Sequence, residues 1–267
     1  MVTAPQNPFR RVWVTFAPLG GSRIEWELVD CFADPGPYVF QLQFGYGGEP
    51  PADDWENVGI PAEDALFLID GETRLFNTTM EAFYRVVLTT AMETYISPIV
   101  SGLSANHFRD WRIARKITRQ EFKRGDRFTS LTVSFLRRRR YGPPCSRCLD
   151  SLTGEATEAN CPVCYGTEFT GGYFAPLRDL FLDLPLEASR ELQDERRGTV
   201  KDVKLEEVRI ANCPFLNSED VLVEERAGRR WFIKTVRRGA EVRGVTLVYL
   251  VEMALAPFTD VIYTVPV

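Results

Sequence analysis

The residues best equipped for chemistry are four cysteines packed into twenty positions. Cys145-Ser-Arg-Cys148 is followed, after twelve residues, by Cys161-Pro-Val-Cys164. Two Cys-x-x-Cys knuckles at this spacing can close a tetrahedral thiolate site, the usual way structural zinc is held. Zn2+ suits four soft sulfur ligands and brings no redox chemistry of its own. The alternatives are a pair of disulfides, a reduced cluster or another metal. No leader peptide is expected from the first residues, Met-Val-Thr-Ala-Pro-Gln-Asn-Pro, so a reducing cytoplasm favours metal over disulfides. The other two cysteines, Cys31 and Cys213, are expected to be buried thiols.

Other chemistry is sparse, and no enzymatic activity is expected. His107 is the one histidine of the chain and sits near a predicted helix start, where a polar helical role suffices. There is no Walker loop, nucleophile elbow or dinucleotide fingerprint. Gly45-Tyr46-Gly47-Gly48 reads as a turn and Asp53-Asp54 as a solvated loop tip. Asn77-Thr78-Thr79 matches a glycosylation acceptor that has no meaning without secretion.

A basic belt flanks the cysteines. From Arg109 to Arg140 twelve Lys/Arg stand against three acids, a net +9, leaving −14 for the rest of a chain whose total is −5. Arg112, Arg115, Lys116 and Arg119 on the predicted helix and the run Arg137, Arg138, Arg139 and Arg140 are the candidate interface residues. Such a belt can dock phosphates or an acidic partner, or can be consumed by internal pairing. Arginine dominates, which suits bidentate pairing to carboxylates.

The elements that must hold these groups read as mainly β with a central helix. Of the 267 residues, 45% are hydrophobic and 26% charged, and no run reaches the roughly 20 apolar residues of a membrane helix. Strands are predicted at Val12–Phe16, Arg23–Leu28, Tyr38–Phe44, Ala65–Ile69 and Ala82–Leu88, with turn chemistry between them. Phe108, Trp111, Ala114 (or Ile113), Ile117 and Phe122 recur at helical spacing over 104–124, with Ser104 or Asn106 as N-cap and Gly125 as stop. A strand follows at Ser130–Leu136. After the cysteines, Glu187 to Gly198 reads as a short exposed helix or linker, and strands at Glu207–Ile210, Val221–Glu224, Arg230–Val236 and Val245–Ala254 close the chain. The expected domains are 1–100, a β-sandwich; 101–198, helix, basic belt and zinc-ribbon-like segment; and 199–267, a small β-domain.

The first hundred residues resemble a fibronectin type III (immunoglobulin-like) sandwich. Trp26 stands where an early strand carries the core tryptophan, and Tyr84 in Phe-Tyr-Arg-Val-Val-Leu where the tyrosine-corner strand lies. Residues 105–180 resemble a group of tailed-bacteriophage virion proteins. Trp111-Arg112-Ile113-Ala114-Arg115, Arg139-Arg140-Tyr141-Gly142, the cysteine segment with Tyr165-Gly166, and Phe169-Thr-Gly171-Gly172-Tyr173-Phe174-Ala-Pro176 carry the likeness. Glu168 departs from it, standing where the pattern has glycine. Asp220-Val-Leu-Val, Gly228-Arg-Arg-Trp231-Phe-Ile and Asp260-Val-Ile-Tyr263 look like the small β-domains of head–tail joining proteins. The resemblance implies a virion protein made in the host cytoplasm, forming a homo-oligomeric ring in the neck or collar. Its neighbours would be portal, connector, tail or fibre proteins. A baseplate or fibre-attachment protein is the variant of this expectation. A zinc-stabilised nucleic-acid-binding protein is the alternative from another class, and no membrane partner is expected.

Overall fold

The computed structural model describes residues 7–16, 21–30, 32, 34–46, 54–72, 82–101, 108–124, 130–150, 153, 156–158, 160–183, 189–194, 199–211, 213–242 and 245–267. Ser104, Asn106, His107, Gly125, Gly47, Gly48, Asp53, Asn77 to Thr79 and Cys31 lie outside the described residues. The described residues are mainly β with one α-helix, and the chain divides into two compact units. Among the described residues no helix is long and apolar enough to cross a membrane.

The first unit comprises residues 1–116 with 141–143 and 243–245. Its strands are β1 (Phe9–Phe16), β2 (Ser22–Leu28), β3 (Val39–Tyr46), β4 (Glu56–Glu63), β5 (Phe67–Asp70), β6 (Ala82–Thr89) and β7 (Thr94–Ile96). They form two antiparallel sheets, ordered β1-β2-β5 and β4-β3-β6-β7. Period-two alternation sets the core face. On β3 and β6, Phe40, Leu42 and Phe44 lie opposite Leu88, Val86 and Tyr84, and all six are buried. Trp26 on β2 meets Phe40 on β3 with ring centroids 4.8 Å apart, so the two sheets share this core. Such a tilted pair adds roughly 0.5–1.5 kcal/mol beyond area burial. The Tyr84 hydroxyl donates to Asp70 Oδ2 at the end of β5, 2.9 Å away, satisfying a buried carboxylate from the opposite sheet.

Two strands of this unit were not legible. β4 contains Gly59 (φ +68°) and Pro61, its pairing with β3 shifts register, and it alternates weakly because only Val58 is buried. β7 is three residues long.

The second unit comprises 117–140, 144–242 and 246–267. The helix α1 (Phe108–Arg124) runs across the division between Lys116 and Ile117. Then come β8 (Ser130–Leu136), β9 (Leu177–Asp183), β10 (Ser189–Asp194), β11 (Thr199–Ala211), β12 (Val221–Glu224), β13 (Arg230–Val242) and β14 (Val245–Leu255). The sheet order is β10-β11-β14-β13-β12-β8-β9, and β9 returns to pair with β11 through Arg209 opposite Asp183 and Ile210 opposite Leu182. That pairing closes six strands into a barrel, with β10 outside the ring along the first half of β11. Closure removes the open edges that a short sheet would leave unpaired.

Two expectations are corrected here. Residues 189–194 form a strand rather than an exposed helix or linker. Strands on either side of residue 198 belong to one sheet, so 199–267 is not a separate β-domain. The reason is long-range pairing: β8 is flanked by β12 from late in the chain, with Leu136 opposite Val221 and Phe135 opposite Leu222.

The register gives β8 and β12 two buried faces. Val133, Phe135 and Leu222 share one with Trp231. Leu136, Val221 and Val223 share the other, covered by Tyr173, by Ile262 of the closing 3₁₀ turn (Val261–Thr264) and by Val265, which caps that turn. Asp260 caps that turn by accepting from Ile262 N at 2.9 Å.

Candidate metal centre

The cysteine segment is an insertion in the hairpin that joins β8 to β9. The ladder of the hairpin continues past the strand ends. Arg138 bridges Tyr173, Arg139 N donates to Gly172 O at 2.9 Å, and Phe174 N donates to Arg137 O at 3.0 Å. Pro144 then bridges Phe169, and Cys145 N donates to Glu168 O at 2.8 Å. This stem delivers both knuckles to one place.

All four sulfurs lie within 4.8 Å of one another and all four cysteines are free and buried. Cys145 Sγ is 3.8 Å from Cys161 Sγ, and Cys148 Sγ is 3.3 Å from Cys164 Sγ. A tetrahedron with Zn–S bonds of 2.3 Å has sulfurs about 3.8 Å apart. The cluster therefore has the ligand type, number and spacing to hold a metal ion such as zinc. Four protein thiolates around one ion leave no open coordination position, and catalytic sites need one.

Backbone bonds fix each knuckle. Leu149 N donates to Cys145 O at 3.2 Å and Tyr165 N to Cys161 O at 2.8 Å, the same turn made twice. The Thr157 hydroxyl donates to Cys148 O at 2.9 Å and the Thr167 hydroxyl to Cys164 O at 2.7 Å, so the carbonyl of each second cysteine is also pinned.

The electrostatics suit a cation. Burial pushes the Cys148 thiol far above its ordinary value, helped by hydrogen bonding among the sulfurs. Burial also pushes Cys161 up, but the amides of Cys164 and Val163 donate to it and bring it down to about 7. Four buried thiols cannot all ionise beside one another without a compensating positive charge, so binding a metal here releases protons.

The residues after the second knuckle explain the Gly-Gly-Tyr motif. Tyr165 and Gly166 have φ of +52° and +77°, and the chain must double back at once. Gly172 has φ +64°, and a Cβ there would fall 2.6 Å from Cys164 O and 2.7 Å from the Tyr165 ring. Glycine is required on both counts. Glu168 has φ +73°, the left-handed region that glycine would occupy without strain.

The basic belt splits into two fates. Arg137 pairs with Asp220 at 3.3 Å and donates to Phe215 O. Arg138 pairs with Glu219 and donates to Gly166 O at 3.2 Å. Arg139 lies 4.4 Å from the Phe174 ring centroid, and Arg140 donates to Ser218 O at 3.1 Å. Arg137, Arg138 and Arg140 thus tie the stem of the insertion to the loop before β12. Asp220 is the anchor of that loop: it also accepts from Arg138 N at 3.0 Å and Asn217 N at 2.8 Å. Burial pushes its carboxyl up, against the opposing pull of Arg137 and those two amides.

On α1, Arg112, Lys116, Arg119 and Lys123 are exposed while Ala114 and Thr118 are buried. Spacings of four, three and four residues put the four cations in one stripe along the helix. Arg115 is half-buried. The acceptors Asp220 and Glu219 were missed by sequence reasoning. They lie some eighty residues from the arginines they hold, and nothing local signals the pairing. Compared with known proteins, the chain matches no family model and no curated protein.

Proposed function

We propose that this protein is a non-enzymatic structural component of a tailed-phage virion, a ring-forming neck or collar protein stapled by one structural zinc. The observation that carries the reading is the closed cluster itself. Cys145, Cys148, Cys161 and Cys164 offer four buried sulfurs at zinc spacing on the tip of an insertion, with no room for substrate at the metal. A metal so placed rigidifies a loop-rich surface that buries too little apolar area to order itself. The likeness of residues 105–180 to phage virion proteins points the same way, and the left-handed Glu168 fits a motif built around glycine at that position.

The first unit is read as a fibronectin type III module decorating the assembly. Strand orders β1-β2-β5 and β4-β3-β6-β7, Trp26 in the core and Tyr84 on β6 support this. The interface is assigned to the helix stripe Arg112, Lys116 and Arg119, whose side chains are exposed along one face of α1. In a ring of repeated head-to-tail contacts, that stripe faces the acidic surface of the next copy.

The test starts with metal analysis of the purified full-length protein, where one zinc per chain is expected. Negative-stain images should show rings that the triple variant Arg112→Glu, Lys116→Glu, Arg119→Glu abolishes. A protein that stays monomeric but binds DNA with strong salt dependence would overturn the ring and support the nucleic-acid alternative. Locating the chain in purified virions separates neck from baseplate.

A further inference from the structure

A cleft of ≈ 250 Å³ opens in the second unit, walled by the second cysteine knuckle, β13 and the closing turn. Tyr165, Tyr173, Phe232 and Val261 supply its apolar faces, and Asn160 and Lys234 its polar ones. The Arg138–Glu219 ion pair and Asp260 border it. Four of these side chains make no hydrogen bond or ion pair among the described residues: the amide of Asn160, the hydroxyls of Tyr165 and Tyr173, and the ammonium of Lys234. Tyr173 is only 9% exposed because its ring packs on the core, while its hydroxyl has no protein partner among the described residues. The Tyr173 hydroxyl stays a donor at neutral pH, since burial pushes its pKa up to about 12. The Lys234 ammonium lies 5.6 Å from the Phe232 ring centroid, its stem running along the apolar wall.

An ammonium, two phenols and an amide converging on one cleft form a donor set for a single carboxylate. Phosphate fits poorly, because Glu219 and Asp260 would repel a second negative charge. The same two acids and the Gly166 backbone can accept from peptide N–H groups. The volume falls below the roughly 300–1,000 Å³ of cofactor-sized sites and suits a side chain on a short stretch of polypeptide. We propose that this cleft is a carboxylate-recognition subsite that receives an Asp or Glu side chain from a second copy of this chain. The source is argued from charge: outside the +9 segment the chain carries −14, so a neighbouring copy presents carboxylates in excess. The inference rests on the self-assembly reading above and assigns a contact distinct from the helix stripe.

The experiment uses the full-length protein. The peptide acetyl-Gly-Glu-Gly-amide, titrated by amide NMR, should shift resonances at Tyr165, Gly166 and Phe232, and the Gln counterpart should bind at least tenfold more weakly. Lys234→Met, at an exposed position, should cost about tenfold in peptide affinity, and Tyr173→Phe a smaller factor. Sedimentation should show self-association weakened by Lys234→Met with zinc content unchanged. Equal binding of the Gln peptide, or tighter binding of inorganic phosphate, overturns the carboxylate assignment. Assembly left intact by Lys234→Met, with peptide binding lost, overturns the second copy as the source while leaving the ring standing. Wild-type protein that never self-associates overturns both.

Discussion

At the scale of single residues, the insertion shows where backbone and charge are under tension. Glu168 holds φ +73° one residue after Thr167, whose hydroxyl fixes the knuckle. A left-handed non-glycine residue costs about 1 kcal/mol or more. Glu168→Gly is therefore expected to raise stability by roughly 0.5–1 kcal/mol in urea denaturation. Gly172→Ala should lower it by about 1–3 kcal/mol, because the added carbon meets backbone and a ring at under 3 Å. Arg137 is the second tension point. Replacing it by Gln leaves Asp220 buried without its counter-charge, at a cost of about 3 kcal/mol at neutral pH. The sign with pH follows from burial. An acid whose folded-state pKa lies above its unfolded value of about 3.9 holds its proton more tightly when folded. Its unfavourable contribution grows as pH rises above that value and disappears below it. The Arg137→Gln deficit should shrink as urea titrations are carried from pH 7 to below pH 4, and a constant deficit would contradict this account.

At the scale of elements, the two units are held by different devices. In the first, β5 and β6 belong to opposite sheets and are tied by the Tyr84 hydroxyl on Asp70. Tyr84→Phe removes that donor from a carboxylate that is 1% exposed, an expected loss of about 1–3 kcal/mol by chemical denaturation. What could be read in advance follows the range of the interactions. β8 and β12 match their expected limits because their apolar residues are local signals. The metal cluster was legible because its four ligands fall within twenty residues. β10, Ser-Arg-Glu-Leu-Gln-Asp, carries no apolar alternation and owes its conformation to pairing with β11. The β9–β11 contact that closes the barrel, and the hold of Asp220 on Arg137, are set by distant partners that no local pattern announces.

At the scale of the whole molecule, each unit carries its own core: Trp26, Phe40 and Tyr84 in the first, Phe135, Leu222 and Trp231 in the second. Cores that do not depend on each other unfold as separate transitions. Calorimetry of the intact chain should show two, and a strong chelator should lower only the one belonging to the barrel, since the cluster lies within that unit. A single transition that moves as a whole on chelation would count against independent units. The charge asymmetry acts at this scale too: with a +9 segment on an otherwise acidic chain, the proposed self-association should weaken as ionic strength rises.

The placement of the cysteines inside the β8–β9 hairpin has a consequence for the time course of folding. Forty residues separate the last residue of β8 from the first of β9, yet the two strands are neighbours in a closed barrel. Joining such distant strands requires loop-closure entropy to be spent before the ladder repays it. A metal ion bridging Cys145 to Cys164 takes half of that loop out of play, and each halving is worth about 0.6 kcal/mol. A metal ion captured early by the four cysteines would act as a folding clamp. Refolding with the metal present should run about threefold faster than after chelation, provided the hairpin forms in the rate-limiting step.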